Sequence, residues 1–163
     1  MHNRIVIVNS TPIIALSSIH KLDLLRELYS EVIIPKAVHD EVMVKKDSET
    51  QLSLARAKDW VLTKNISNSE TKKFFKVQLH DGEVEVMLLG KELAADLLVI
   101  DDYTAREYAK YLEFKVTGTL GVILKAKENG ILKEVKPLFS DLIDNGIYIG
   151  DKLLANILKM AGE

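Results

Sequence analysis

Two adjacent carboxylates, Asp101 and Asp102, directly follow an apolar run in the middle of the chain. The run at residues 97–100 is Leu-Leu-Val-Ile, which is typical of a strand buried on both faces of a parallel sheet. Ligands of such sheets bind beyond the carboxyl ends of the strands. Because neighbouring carboxylates repel each other unless a cation or a proton relieves them, the pair indicates a cation site if other acids reach this edge. Successive side chains at a strand end point in opposite directions, so we expect Asp102 to cap the next helix and Asp101 to face the cleft.

Asn9 and Glu41 are two further candidates for this edge. Asn9 follows an apolar run at residues 5–8, so it reaches the same edge if that strand is central. Its amide oxygen can ligate a hard cation, and it is equally suited to a turn or cap before the next helix. Glu41 borders the apolar face of a helix, where it either enters a cleft or pairs on the surface with Lys45, four residues later. The sequence leaves both choices open.

Three acids, Asp81, Glu83 and Glu85, surround the start of another helix. Acids in a first turn complement the helix dipole, and Asp81 can cap the helix, which explains these residues without any function. Glu83 precedes Met87 by one turn, on the side expected to pack on the sheet. Of the three acids, Glu83 is therefore the one expected to face inward.

Few other patterns suggest chemistry. Glycines at 118 and 121 flank a tight turn that would bring Thr119 near a phosphate. The histidines show no paired zinc-ligand spacing, and the sequence has no phosphate-binding glycine loop or nucleophile elbow. Two groups of lysines, at 45–46 and at 72, 73 and 76, are either solvated or form a basic rim around an acidic cleft.

The apolar pattern predicts the elements that position these residues. Strands are expected at residues 5–8, 32–34, 60–62, 97–101, 114–116 and 147–149. Helical segments separate the strands, and the first of them is expected to break near His20 and Lys21. Strands that alternate with helices imply right-handed crossovers and a mainly parallel sheet covered by helices, which is an α/β fold.

The composition is that of an ordinary globular protein. The 163 residues suit one domain over residues 1–163, with 47% hydrophobic and 28% charged residues. The net charge of −2 argues mildly against a broad nucleic-acid-binding surface. The sequence has no cysteine, which excludes disulfides and thiolate metal sites and fits a cytoplasmic location. No apolar stretch approaches the roughly 20 residues of a membrane span.

Five motifs, in this order, resemble those of PIN-domain nucleases. They lie at residues 8–14, 34–42, 82–85, 97–106 and 118–121. The first motif of the family normally has an aspartate followed by a hydroxyl residue, and the conserved acid of the second falls on Glu41. The resemblance spans about residues 4–158 and points to one largely uncharacterised prokaryotic branch.

The resemblance implies a three-layer α/β/α sandwich whose acidic cleft binds Mg²⁺ or Mn²⁺ and hydrolyses phosphodiester bonds of single-stranded RNA. Carried over by position, the metal ligands would be Asn9, Glu41, Glu83, Asp101 and Asp102, with Glu41, Glu83 and Asp101 as the catalytic residues. Many relatives are toxins of toxin–antitoxin pairs, and many are homodimers. An antitoxin and a second copy are therefore the expected protein partners, and no membrane is expected.

Ser10 and Thr11 are expected to hydrogen-bond a ligand or a metal-bound water, with Thr119 as a third substrate-binding residue. The assignment predicts that Asp101→Asn abolishes Mn²⁺-dependent RNA cleavage. Asn9 stands where the family has an aspartate, so a second hypothesis is a module that binds RNA or a partner protein without cutting. A phospho-acceptor signalling domain ranks last, because no convincing lysine follows a late strand.

Overall fold

Five short parallel strands form one sheet in the computed structural model, which describes residues 4–45, 47–75 and 79–163. The strands are β1 (Val6–Val8), β2 (Val32–Pro35), β3 (Val61–Lys64), β4 (Leu97–Val99) and β5 (Val116–Thr117). Every residue of β1, β2 and β4 is buried, as expected for continuous apolar runs covered on both faces. Lys46 and Lys76, two of the lysines noted above, lie outside the described residues.

Helices connect the strands and flank the sheet. They are α1 (Ser10–Ser18), α2 (Asp23–Tyr29), α3 (Lys36–Val44), α4 (Ser48–Arg56), a 3₁₀ helix (Ser69–Phe75), α5 (Asp81–Leu93), α6 (Tyr103–Tyr111), α7 (Thr119–Glu128), α8 (Lys136–Asp144) and α9 (Asp151–Met160). This confirms the predicted α/β sandwich with a parallel central sheet. No helix in the described ranges is long and apolar enough to cross a membrane.

The strand order creates a crevice at the centre of the sheet. The order is β3-β2-β1-β4-β5, so the chain moves outward from β1 on one side and returns to β4 on the other. Val8 pairs with Val99, and the backbone N–H of Asn9 donates to the carbonyl of Val99 at 3.0 Å. The carboxyl ends of β1 and β4 therefore lie side by side at a topological switch point, where ligands of open α/β sheets bind.

Two local predictions have different outcomes. The first helical segment does break at the expected place, where His20 has a left-handed backbone with φ of 58° and separates α1 from α2. The predicted strand at residues 147–149 was wrong, since these described residues have no regular secondary structure. Gly146, with φ of 88°, ends α8, and Ile149 then buries its side chain in the core without pairing to a strand.

Candidate active site

A cleft of about 270 Å³ lies at the carboxyl edge of the sheet, where α1, α3, α5 and α6 meet. It is lined by Asn9, Ser10, Thr11, Glu41, Lys45, His80, Gly82, Glu83 and Asp102. Six of the residues predicted from the sequence therefore share one cleft. The other two, Asp101 and Thr119, line a neighbouring cavity.

Asn9 occupies the N-cap position of α1 but does not use its side chain as a cap. Its backbone is extended, and no described group makes a capping hydrogen bond with the amide. The residue is only 4% exposed. Its Oδ1 atom lies 3.4 Å from the point where a Cβ on Gly82 would be. The amide thus faces the cleft, and the interpretation of Asn9 as a side-chain cap finds no support in the structure.

Glu41 carries a buried oxygen that lacks a partner. No described group donates a hydrogen bond to its Oε2 atom. The described structure also holds no ion pair between Glu41 and Lys45, the surface partner that the sequence offered. Burial of a carboxylate oxygen without a hydrogen-bond donor is unfavourable in free energy, so a cation or a proton is expected at this atom.

Gly82 keeps the space between these two side chains open. A Cβ at this position would lie 3.3 Å from Cγ2 of Val38 and 3.9 Å from Oε2 of Glu41. The absence of a side chain lets α5 approach α3 closely and leaves a gap bordered by the Asn9 and Glu41 oxygens. The role of Gly82 was not predicted from the sequence, where its place in the first turn of a helix was the available signal.

Glu83 faces inward, as expected from its spacing to Met87. It is 5% exposed, and its Oε1 accepts a hydrogen bond from the backbone N–H of His80 at 2.9 Å. Burial raises the pKa of the Glu83 carboxyl, and the nearby negative charges of Asp102 and Glu41 raise it further, against the lowering effect of the His80 hydrogen bond. Three carboxylates therefore repel one another in this cleft, which favours a bound cation or a shared proton.

Asp101 and Asp102 take different positions from those expected. Asp102 caps α6 as predicted, because its Oδ2 accepts from the N–H of Ala105 at 2.9 Å, yet it also lines the acidic cleft. Asp101 points to the other side. Its Oδ1 accepts from the N–H of Thr119 at 2.7 Å and its Oδ2 from the hydroxyl of Thr119 at 2.6 Å. Thr119, at the start of α7, thus engages both carboxylate oxygens of Asp101, and Asp102 reaches the cleft instead.

The expected phosphate contact of Thr119 is likewise absent from the described cleft. Both donors of this residue, the N–H and the hydroxyl, are directed at Asp101. The Gly118–Gly121 turn has a steric reason instead, since a Cβ on Gly118 would lie 2.7 Å from Oδ1 of Asp101. The glycine is required because Asp101 lies so close to the turn.

A larger groove, of about 1000 Å³, adjoins the cleft on the side of α3 and α5. It shares Glu41, Lys45, His80 and Gly82 with the cleft. Three lysines, Lys36, Lys45 and Lys72, and four acids, Asp40, Glu41, Asp81 and Glu85, line it. Lys36 pairs with Asp40 at 3.0 Å and Lys72 with Glu85 at 2.8 Å, so these two lysines are engaged within the protein, and the choice between a solvated lysine and a basic rim stays open for Lys45.

Glu85 has a structural role next to the groove. Its Oε2 pairs with Nζ of Lys72 at 2.8 Å, and its Oε1 accepts from the N–H of Ala37 at 3.1 Å. This ion pair raises the pKa of Lys72. Glu85 therefore fastens the first turn of α3, the helix that carries Glu41, to the 3₁₀ helix.

The donor set suits a divalent ion that keeps most of its waters. No group of three or more His, Asp or Glu side chains in the described ranges is arranged as a ready-made metal site. Mg²⁺ needs only one or two direct carboxylates and retains several waters. The unpartnered Glu41 oxygen, together with the amide oxygen of Asn9 across the gap at Gly82, fits such an ion.

A protein-family model described as a PIN domain matches residues 5–163. The chain belongs to the PIN-domain family. The match covers the same stretch as the sequence resemblance, and PIN domains are of the nuclease type and generally use divalent metal ions. No curated protein matches the chain closely enough to count as a relative. The acidic cleft of this PIN domain lies where the family motifs meet.

Proposed function

We propose that this PIN domain is a Mg²⁺- or Mn²⁺-dependent endoribonuclease that cleaves single-stranded RNA in the acidic cleft. The observation that carries the proposal is the buried Oε2 atom of Glu41, which lacks a donor among the described residues. It faces the Asn9 amide across Gly82, and Glu83 and Asp102 add negative charge. Buried polar atoms in native proteins nearly always have a hydrogen-bond partner, so a buried oxygen without one indicates that a bound ligand completes the site.

The position of each side chain in the cleft determines its role. Glu41 and Asn9 supply the direct oxygen ligands, while Glu83 and Asp102 supply charge and accept hydrogen bonds from waters in the cleft. A divalent ion, when bound, neutralises phosphate charge and lowers the pKa of a nearby water. Ser10 and Thr11, in the first turn of α1, donate hydrogen bonds to phosphate oxygens. Their helix N-terminus also favours an anion at this point.

The groove beside the cleft offers a path for a nucleic-acid strand. Of its lysines, Lys36 and Lys72 are held by Asp40 and Glu85, whereas Lys45 makes no ion pair among the described residues and can pair with a phosphate of an RNA strand. The groove leads into the acidic cleft through Glu41 and Lys45, which line both. A strand that contacts Lys45 therefore passes beside the proposed metal ligands.

A Mn²⁺ titration and an RNA cleavage assay test this proposal together. We expect the wild type to bind Mn²⁺ and to cut a fluorescein-labelled single-stranded RNA only when the metal is present. Glu41→Gln should lower both the Mn²⁺ affinity and the rate of RNA cleavage by at least about 100-fold, an effect typical of disturbed metal sites. Glu27→Gln, an exposed glutamate on α2, is the matched control and should behave as the wild type.

A second candidate function is binding of RNA without cleavage. Asn9 favours it, because an amide stands where PIN-domain nucleases normally have an aspartate, and an amide is a weaker ligand than a carboxylate. The variant Asn9→Asp separates the two functions. If it creates metal-dependent cleavage that the wild type lacks at millimolar Mn²⁺, the natural domain is the binding module.

We extend the first proposal to a toxin of a toxin–antitoxin pair, as the resemblance implies. Expression of the wild type without its partner should then arrest bacterial growth, and expression of Glu41→Gln should not. Growth arrest by both proteins would contradict a role for cleavage in toxicity.

A further inference from the structure

A second cavity, of about 410 Å³, lies beside the acidic cleft on the side away from the larger groove. It is enclosed by parts of α1, α6, α7 and α9 and by the irregular segment before α9. Its walls are largely apolar and include Leu120, Leu124, Ile147 and Leu153. Thr11 lines both this cavity and the acidic cleft, so the two spaces adjoin.

Arg106 on α6 is the cationic residue in the wall of this cavity. Arg106 is partly buried, and no hydrogen bond or ion pair joins its guanidinium to another residue in the described part of the chain. Asp101 lines the same wall, where its Oδ1 and Nη1 of Arg106 lie 2.7 and 3.6 Å from the point where a Cβ on Gly118 would be, and Thr119 donates one hydrogen bond to each oxygen of Asp101. A guanidinium that makes no direct hydrogen bond within the protein, in a largely apolar wall, is suited to bind an anion from outside the chain, and phosphate matches its geometry.

Tyr148 provides an aromatic surface at the same cavity. The residue is 92% exposed, so its ring is accessible to a ligand. Leu153, which lines the same cavity, is about half exposed. Aromatic side chains bind nucleobases by stacking, whichever base is present, and an apolar neighbour adds packing surface.

We propose that this cavity binds one nucleotide of a single-stranded RNA, adjacent to the nucleotide whose phosphate lies in the acidic cleft. Arg106 pairs with its phosphate, and its base packs between Tyr148 and Leu153. The identity of the ligand rests on the proposed ribonuclease function, because Thr11 connects the cavity to that active site. The strand would then cross the carboxyl edge of the sheet, from Lys45 through the cleft to Arg106.

The test measures RNA binding without cleavage. A fluorescein-labelled tetranucleotide with 2′-O-methyl riboses is titrated in EDTA, and its anisotropy gives the Kd. We expect Arg106→Gln and Tyr148→Ala each to raise the Kd about tenfold, which corresponds to about 1.4 kcal/mol. Arg26→Gln is the control, because Arg26 is exposed and lines a separate cavity that includes Arg4 and Trp60. Its Kd should stay within about twofold of the wild-type value.

A crosslinking experiment keeps the inference testable if Arg106→Gln unfolds the protein. The same tetranucleotide with 4-thiouridine at one end is irradiated with the wild type, and the adduct is mapped by mass spectrometry. An adduct on residues 147–153 supports the nucleotide site. Adducts confined to Lys36, Lys45 and Lys72 would overturn it.

Other outcomes separate this inference from the proposed function. If the wild type does not bind the tetranucleotide, or if both variants bind it as the wild type does, the nucleotide site is refuted even where cleavage occurs. The nucleotide site is also refuted if the two variants bind the tetranucleotide normally but lose affinity for a protein partner. The cavity would then be part of a protein–protein interface. Glu27→Gln should bind the tetranucleotide as the wild type does. Because the binding is measured in EDTA, a failure of the cleavage proposal leaves the binding result interpretable.

Discussion

Substitution of the two adjacent aspartates should separate stability from activity. Asp101 accepts two hydrogen bonds from Thr119, at 2.7 and 2.6 Å, and both involve its charged carboxylate. Hydrogen bonds to charged groups contribute about 1.5–3 kcal/mol each, and the half-buried position favours the lower end. Asp101→Ala should therefore lower the free energy of unfolding by about 3 kcal/mol, which corresponds to about 6–12 °C in Tm for a domain of this size.

Substitution of Asp102 should change the stability little but lower the activity. In the described structure its side chain accepts the capping hydrogen bond from the N–H of Ala105, and loss of an N-cap costs about 1 kcal/mol. Asparagine caps a helix about as well as aspartate, so Asp102→Asn should keep the Tm within a few degrees. The same variant should weaken Mn²⁺ binding and RNA cleavage by about 10–100-fold, because it removes a negative charge beside Glu83 and Glu41.

Asp101→Asn is the matched partner in this experiment. Its amide oxygen can still accept from the N–H of Thr119, so the protein should fold and retain most of its Mn²⁺ affinity. Thermal unfolding and Mn²⁺ titration are measured for both asparagine variants. If Asp101→Asn loses the metal at an unchanged Tm while Asp102→Asn retains it, the assignment of Asp102 to the cleft is wrong.

Three further predictions concern single residues. Gly82→Ala places a methyl group between Asn9 and Glu41, so calorimetry should show Mn²⁺ affinity falling at least about tenfold with the fold retained. Burial raises the pKa of Glu83 above 4.5, so the folded protein binds more protons than the unfolded chain and the metal-free protein loses stability as the pH rises through that raised pKa. Measured in EDTA, the Tm of Glu83→Gln should fall less steeply with rising pH than the Tm of the wild type. An equal slope for the two proteins would contradict this prediction. The hydrogen bond from Lys127 lowers the pKa of Glu163 from 4.5 to about 2, so its stabilising contribution is present above pH 4.5 and is lost as the pH falls towards 2. The Tm of Glu163→Gln should lie below the wild-type value at pH 7 and approach it near pH 2.

The sequence predicted the sheet well because its strands are buried on both faces. Val6–Val8 and Leu97–Val99 are apolar at every position, and such runs have few alternatives once helices separate them. The segment at residues 147–149 has the same apolar character but belongs to the connection between α8 and α9. Its burial comes from contact with the core, which periodicity alone does not distinguish from strand pairing.

The exchange of Asp101 and Asp102 had a cause that lies far along the chain. Alternation at a strand end predicts that the two side chains diverge, and they do. The side to which each one turns depends on Thr119, 18 positions after Asp101, whose N–H and hydroxyl face the end of β4 only after β5 has paired. Local spacing carries no signal for that contact. The capping role of Asp102 was predictable because Ala105 lies three residues away.

The amide of Asn9 is consistent with the crowding of charge in the cleft. Glu41, Glu83 and Asp102 already lie close enough that their charges act on one another, as the raised pKa of Glu83 indicates. A fourth carboxylate at position 9 would strengthen metal binding but would increase repulsion in the metal-free protein. An amide keeps an oxygen at the gap beside Gly82 without that repulsion. Under the proposed function, Asn9 lowers the repulsion in the metal-free fold and weakens metal binding, which is why substitution of Asn9 tests the choice between cleaving and binding RNA.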